Sequence, residues 1–284
     1  MNVNRILTLL TAGVCLGALG STAALAQAPA PAAKPAPVAM TLTRINCGTP
    51  QPPTAVNARF SDTYAYGDKK VQFVYSCYLI KHGDDYMLWD TGFAMGTPNT
   101  GPKESIPDQL AKLNVKPEQI KFVGISHFHG DHTGQVNSFP KATLLIGKYE
   151  WDGITANPPA TGANVKPFEG WIKGENKVEP QAIDKDVFGD GSVVILRTPG
   201  HTPGHQALLV KLPKSGNYIL SGDAVHFEEN WATNGVPMFN FDRAQSLASL
   251  DRMKQIAKIH KAKMIIQHDE RDIAKLPAFP AGAN

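Results

Sequence analysis

The chain has 284 residues, with 28 Lys and Arg against 25 Asp and Glu, a formal net charge of +3, and 3 cysteines. Near-neutral charge without blocks of one sign gives no electrostatic case for a nucleic-acid or anionic-membrane binder, and leaves a small molecule as the expected partner.

Residues 1–26 are expected to form an export signal. Arg5 precedes an apolar stretch from Ile6 to Gly20, and Ala24 to Ala26 offer small residues for cleavage before Gln27. The apolar stretch is short for a membrane span, and no stop-transfer pattern follows it. Arg5 is the sole charge in the signal, so its removal takes the net charge from +3 to +2. Residues 27–39, "QAPAPAAKPAPVA", are expected to be an extended Pro/Ala-rich linker. Residues 40–284 are expected to fold as one hydrolase domain. The expected destination is the periplasm or the medium, with no membrane association after signal cleavage. Of the cysteines, Cys47 and Cys77 lie outside the signal. An oxidising compartment allows either a disulfide between them or two buried thiols.

Three β-rich runs come first: "TLTRINC", "VQFVYSCYLIKHG" and "YMLWDTG", the last two joined by a Gly-Asp hairpin turn. "SIPDQLAKLNVKPEQI" predicts a short helix stopped before Pro117. The apolar run Lys121 to Ser126 predicts a strand that leads into "HFHGDH", with His127, His129, Asp131 and His132. The same pattern recurs three times. "SVVILR" ends in "TPGHTPGH" with His201 and His205, "NYILSG" ends in Asp223, and "KMIIQ" ends in His268. Between the last two, Asp242 caps a helix whose apolar stripe is Leu247, Leu250, Met253, Ile256 and Ala257. Sites in α/β sheets form beyond the carboxyl ends of strands, so four strands each ending near a metal-binding side chain predict one shared centre.

His127 and His129 are two apart at a strand end, so extended backbone points both imidazoles to one side. Gly130 then allows a tight turn, which sends Asp131 and His132 another way. Imidazole and carboxylate without thiolate suit zinc or another first-row divalent ion, and positions left for water would make the site catalytic. His205 and Asp90 are expected to orient the site or close a turn rather than bind metal, and His82 and His260 to be surface histidines without a role.

These residues resemble the metallo-β-lactamase fold superfamily. "HFHGDH" matches its signature, and His201, Asp223 and His268 follow in the family's order. "LWDTG" is similar to its strand-turn carrying an aspartate that orients the site. The resemblance implies an α/β fold, specifically an αββα four-layer sandwich. It implies two divalent ions, one held by His127, His129 and His201, the other by Asp131, His132 and His268, with Asp223 bridging both. It also implies attack by a metal-bound hydroxide on an ester, lactone or phosphoester centre.

Within the superfamily, "CYLIKHGDDYMLWDTG", "RTPGHTPGHQALLV" and "FNFDRAQSLASLDRMKQI" are similar to N-acyl homoserine lactonases. The expected function is therefore an exported lactonase, with Asp131 and His226 as the residues carrying catalysis. His226 stands where many such lactonases have a tyrosine, and Gly130 where they often have a bulkier residue. The competing branches are an organophosphate hydrolase and a β-lactamase, the latter disfavoured by Asp223. A non-catalytic metal-binding protein of the same fold is the alternative outside enzymes. Phe93, Met95, Phe128, Trp151, Trp171, Phe227 and Trp231 are the aromatic and apolar candidates for an acyl pocket.

Overall fold

The computed structural model describes residues 38–284. The expected signal, and the expected linker apart from Val38 and Ala39, lie outside them. No helix among the described residues is long and apolar enough to cross a membrane.

The chain enters on β1 (Met40–Asn46) and then makes a long excursion of short elements, β2 (Thr54–Ala55), α1 (Asn57–Phe60) and β3 (Lys70–Val71). It returns on β4 (Ser76–His82), antiparallel to β1, and turns through Gly83 into β5 (Asp85–Trp89). Gly83 has φ +58°, a backbone conformation that a residue without Cβ adopts at no steric cost. Helix α2 (Ile106–Lys112) is capped by Ser105. It ends earlier than the Pro117 stop implied, because Asn114 turns left-handed at φ +56°. After it come β6 (Ile120–Ile125), α3 (Gly130–Thr133), β7 (Thr143–Gly147), α4 (Lys148–Thr155), α5 (Glu169–Ile172) and β8 (Val178–Gln181). The first sheet has the order β1-β4-β5-β6-β7-β8, parallel from β5 onward.

The second sheet is built from β9 (Lys185–Asp186), β10 (Val193–Arg197), β11 (Gln206–Leu212), β12 (Gly216–Leu220) and β13 (Lys263–Ile265). Its order is β13-β12-β11-β10-β9. Helices α6 (Glu228–Thr233) and α7 (Arg243–His260) lie between β12 and β13 in the chain. The side chain of Asp242 accepts the Gln245 N–H at 2.9 Å, as the helix signature predicts.

Strand alternation sorts side chains into layers. On β4, Cys77 and Leu79 pack under α2 and α4, while Tyr78 and Ile80 face the other sheet. On β11, Leu208 and Val210 join that central layer, while Ala207 and Leu209 meet Leu250 and Met253 of α7. A side-chain period of two buries both faces of each sheet, and the result is the expected αββα sandwich.

One expected element divides. The run beginning at Val71 is not one strand, because residues 72–75 leave the sheet. The Val74 N–H donates to the His268 carbonyl and the Cys47 N–H to that of Tyr75, so this stretch is tied to the site rather than to a ladder. Cys47 and Cys77 form a disulfide, with Cα atoms 5.8 Å apart, at the mouth of the excursion.

Candidate metal centre

The four strand ends converge as expected. His127 and His129 follow β6, His201 follows β10, Asp223 follows β12 and His268 follows β13. Two groups of potential ligand atoms result: His127, His129, His201 and Asp223 in one, Asp131, His132, Asp223 and His268 in the other.

In the first group, His127 Nε2 lies 2.9 Å from His129 Nδ1 and 3.2 Å from His201 Nε2, and the latter two are 3.1 Å apart. In the second, His132 Nε2 and His268 Nε2 are 3.2 Å apart, and Asp131 Oδ2 lies 3.6 Å from each. Asp223 divides its carboxylate between them. Oδ2 is 3.5 Å from His201 Nε2 and 3.7 Å from His127 Nε2, whereas Oδ1 is 2.9 Å from His268 Nε2 and 3.1 Å from His132 Nε2. Despite that proximity, Oδ1 makes no hydrogen bond of acceptable geometry.

The far nitrogens of three rings are held by acceptors. His132 Nδ1 donates to Asp90 Oδ2 (2.9 Å), His201 Nδ1 to Asn240 Oδ1 (3.0 Å) and His268 Nδ1 to the Val74 carbonyl (2.8 Å). In the neutral form that binds a metal, with the proton on Nδ1, each ring turns its Nε2 lone pair inward. Lone pairs meeting lone pairs, and a buried carboxylate oxygen without a donor, are unfavourable unless a cation lies between them. The donor set therefore fits two divalent ions bound by nitrogen and oxygen.

Electrostatics divides the two groups. Burial, reinforced by neighbouring imidazoles, holds His127 well below the usual histidine range; burial, with His226 and His129 adding, does the same for His201. For His132 and His268 burial acts in the same direction, but the carboxylates of Asp223 and Asp131 outweigh it and raise both. Burial opposes the charge on Asp223 too, but the surrounding histidines, His268 and His132 foremost, hold it well below the usual carboxylate range.

The orienting residues act as expected. Asp90, at φ +58°, accepts from Ser126 N with Oδ1 (2.6 Å) and from Gln267 Nε2 with Oδ2 (2.7 Å), which aims it at His132. His205 Nε2 accepts the backbone N–H of Asp223 at 2.8 Å, and burial lowers its pKa to about 4, so the ring stays a neutral acceptor. Gly130 turns the chain as expected, but through a helix. Its φ is not positive, and it opens the short helix α3, so the reversal that separates His129 from His132 is helical. A Cβ there would meet only Asn164 Nδ2, at 3.9 Å, and Gly130 does not line the cavity beside the centre. His82 is not a bare surface histidine either: it stacks on Phe188 and lies 2.8 Å from Asp190 Oδ2.

A family model described as the Metallo-beta-lactamase superfamily matches residues 72–257. The chain belongs to this superfamily. Among its relatives is an N-acyl homoserine lactonase AttM of Rhizobium radiobacter, 33% identical over 180 residues, which span 61% of this chain and 68% of that protein. A solved quorum-quenching N-acyl homoserine lactone lactonase superposes with a TM-score of 0.73 at 24% identity, over 87% of this chain and 99% of that one. A solved dizinc quorum-quenching lactonase, AidC, superposes with a TM-score of 0.60 at 20% identity, over 81% and 87% of the two chains.

In this member of the superfamily, the cavity that opens on the centre has a volume of about 230 Å³. Asp131, Asp223, His226 and His268 form its floor, and Arg59, Phe60, Phe73, Tyr75 and Phe239 stand among its walls. None of the seven side chains expected to line an acyl pocket borders this cavity. Trp171 is in the core beneath the first sheet, Phe227 is buried behind Phe60 and Trp231 packs beside α7. Phe128 borders a second cavity, of about 370 Å³, on the His129 and His201 side. Most of the walls come from the excursion between β1 and β4, and Phe239 adds to them from the loop between α6 and α7. The aromatics Phe73 and Tyr75 were visible in the sequence, but only as part of an apparent strand.

Proposed function

We propose that the protein is a dinuclear metal-dependent hydrolase that opens the lactone ring of N-acyl homoserine lactones. Its enzyme class follows from the family and the lactonase relatives. The observation that carries the mechanism is Asp223, which presents one carboxylate oxygen to each group of ligands. Two divalent cations, zinc or another first-row ion, held by His127, His129 and His201 and by Asp131, His132 and His268 with Asp223 between, would polarise the carbonyl and acidify a water at neutral pH.

The chain's own groups do the rest. His226 lines the cavity with Nε2 turned to the centre, 3.2 Å from Asp223 Oδ2. From there it donates a hydrogen bond to the substrate carbonyl oxygen, which gains charge as the tetrahedral carbon forms. Asp131, the less buried of the two aspartates, takes the proton of the attacking water on its carboxylate and returns it to the ring oxygen as the acyl carbon–oxygen bond breaks. Water is added across that bond, and a hydroxy acid leaves. Phe60, Phe73 and Phe239 present an apolar wall to the rest of the substrate.

The protein is also proposed to be exported. The features supporting this are the N-terminal pattern of charge, apolar run and small residues, and a disulfide that persists in an oxidising compartment. Fractionation of expressing cells, with N-terminal sequencing of the product, tests it. A cytoplasmic chain that retains Met1 would refute it.

The decisive experiment measures metal content and initial rates on one purified preparation with a long-chain acyl homoserine lactone, a phosphotriester and a β-lactam. About two metals per chain and preference for the lactone are expected. Preference for either other substrate would move the protein to another branch, and two metals without turnover would mark a binding protein. His226→Phe should lower kcat on the lactone by about 10- to 100-fold while metal content holds, the range of one transition-state hydrogen bond. Unchanged kcat would remove His226 from the mechanism.

A further inference from the structure

A buried carboxylate takes no part in this mechanism. Glu150 lies in the first turn of α4, fully inaccessible to solvent, and among the described residues it has no Lys, Arg or His within ion-pair distance. Both oxygens are used by backbone instead. Oε2 accepts the Phe128 N–H at 2.9 Å, and Oε1 accepts the Gly204 N–H at 2.6 Å. Phe128 stands between His127 and His129, and Gly204 follows His201 by three residues. One carboxylate thus joins the segment after β6 of the first sheet to the loop between β10 and β11 of the second, and these segments carry the three imidazoles.

The junction is shaped for close approach. A Cβ on Gly147 would meet the Gly204 carbonyl oxygen at 2.0 Å, and a Cβ on Gly204 would meet the Glu150 backbone nitrogen at 2.6 Å. Backbone so close can be spanned by one short side chain. Burying a carboxylate costs several kcal/mol before its hydrogen bonds return some of it, so stability alone gives a poor reason to have one here. Hydrogen bonds that fix ligand-bearing backbone give a better one.

We infer that Glu150 is a positioning residue, a clasp that sets the spacing of His127 and His129 against His201 and so the affinity of the three-imidazole position for its cation. The inference rests on the dinuclear site proposed above. Glu150→Gln keeps the shape but offers one acceptor oxygen, so its amide confronts the other backbone N–H and one arm of the clasp is lost. Metal-free wild type and variant are titrated with Zn²⁺ against a chromophoric chelator. In the variant, one of the two affinities is expected to fall by about 10- to 100-fold, as for partners that orient metal ligands, with the other within about twofold of wild type. The visible absorption of the Co²⁺-loaded variant should change with it. Two affinities both within about twofold of wild type, or both weakened alike as general loosening would do, overturn the clasp.

If Glu150→Gln does not fold, residue-resolved amide exchange on the metal-free wild type decides. Phe128 and Gly204 should exchange at least about 100-fold more slowly than exposed loop amides, and exchange at loop rates overturns the proposal. A wild type that holds no cation at the three imidazoles overturns the site and the clasp together. Two cations in wild type with an insensitive variant overturn the clasp alone.

Discussion

The two walls of the cavity are made differently. The floor consists of Asp131, Asp223, His226 and His268, which follow β6, β12 and β13 and are held in place by the two packed sheets. The opposite wall comes mostly from the excursion between β1 and β4, whose elements are two to four residues long, with Phe239 added from the loop before α7. That wall is held by aromatic contacts, such as Phe60 with Phe73 at 5.0 Å and with Phe239 at 5.3 Å, and by the disulfide at its base. A rigid floor beside a lightly built wall separates the chemistry from the choice of substrate. Loops carry specificity where a scaffold carries reactivity.

Four substitutions would break or sharpen that contrast. Asp223→Ala removes the bridge from both cation positions. Turnover should fall by more than about 100-fold, the upper range for a mere orienting partner, and elemental analysis should find metal lost with it. Retention of both metals at near-normal rate would discard the proposed floor. The far-ultraviolet circular dichroism should stay the same, because the sheets do not depend on this side chain for packing.

Cys47→Ser acts on the base of the wall. The bridge closes residues 30 apart in sequence, and in the chain-entropy account such a closure is worth about 3–4 kcal/mol. Denaturant unfolding should show that loss, while metal content at low temperature stays at the wild-type value.

Glu150 returns to the floor through pH. Burial pushes its pKa up to about 7 from an ordinary 4.5, so between those values the folded metal-free protein binds a proton that the unfolded chain releases. Its contribution is therefore fully present below about pH 4.5 and falls away as pH rises through about 7, by about 3 kcal/mol in all. The stability difference between metal-free wild type and Glu150→Gln should drift by about that amount in favour of wild type at the acid end. A difference flat with pH would mean that Glu150 is charged throughout.

The smallest effect belongs to the wall. Phe239→Ala, at a half-exposed lip of the cavity, should raise KM for long acyl chains by about 10-fold, as loss of apolar contact does, with kcat and metal content unchanged. An equal effect on short and long chains would place the acyl group away from Phe239, which borders both this cavity and the one beside Phe128 and His201.

The sequence by itself determined the floor. Short apolar runs, each followed by a histidine or aspartate, specify strands and their termini locally. "HFHGDH" places four potential ligands within six residues, so no long-range information is needed to see them. The capped α7 was legible for the same reason, since cap and stripe are neighbours in the chain. Tertiary structure alone decided the rest. Residues 72–75 have the composition of a strand, but they leave the sheet because Val74 pairs its backbone with His268, 194 residues away. No local pattern encodes that contact. Phe73 and Tyr75 became cavity walls through it, while Trp171 and Phe227, expected there, went to the core. The disulfide and the span of Glu150 are likewise facts of distance in space. Spacing along a chain allows such contacts, and the packing of the two sheets selects among them.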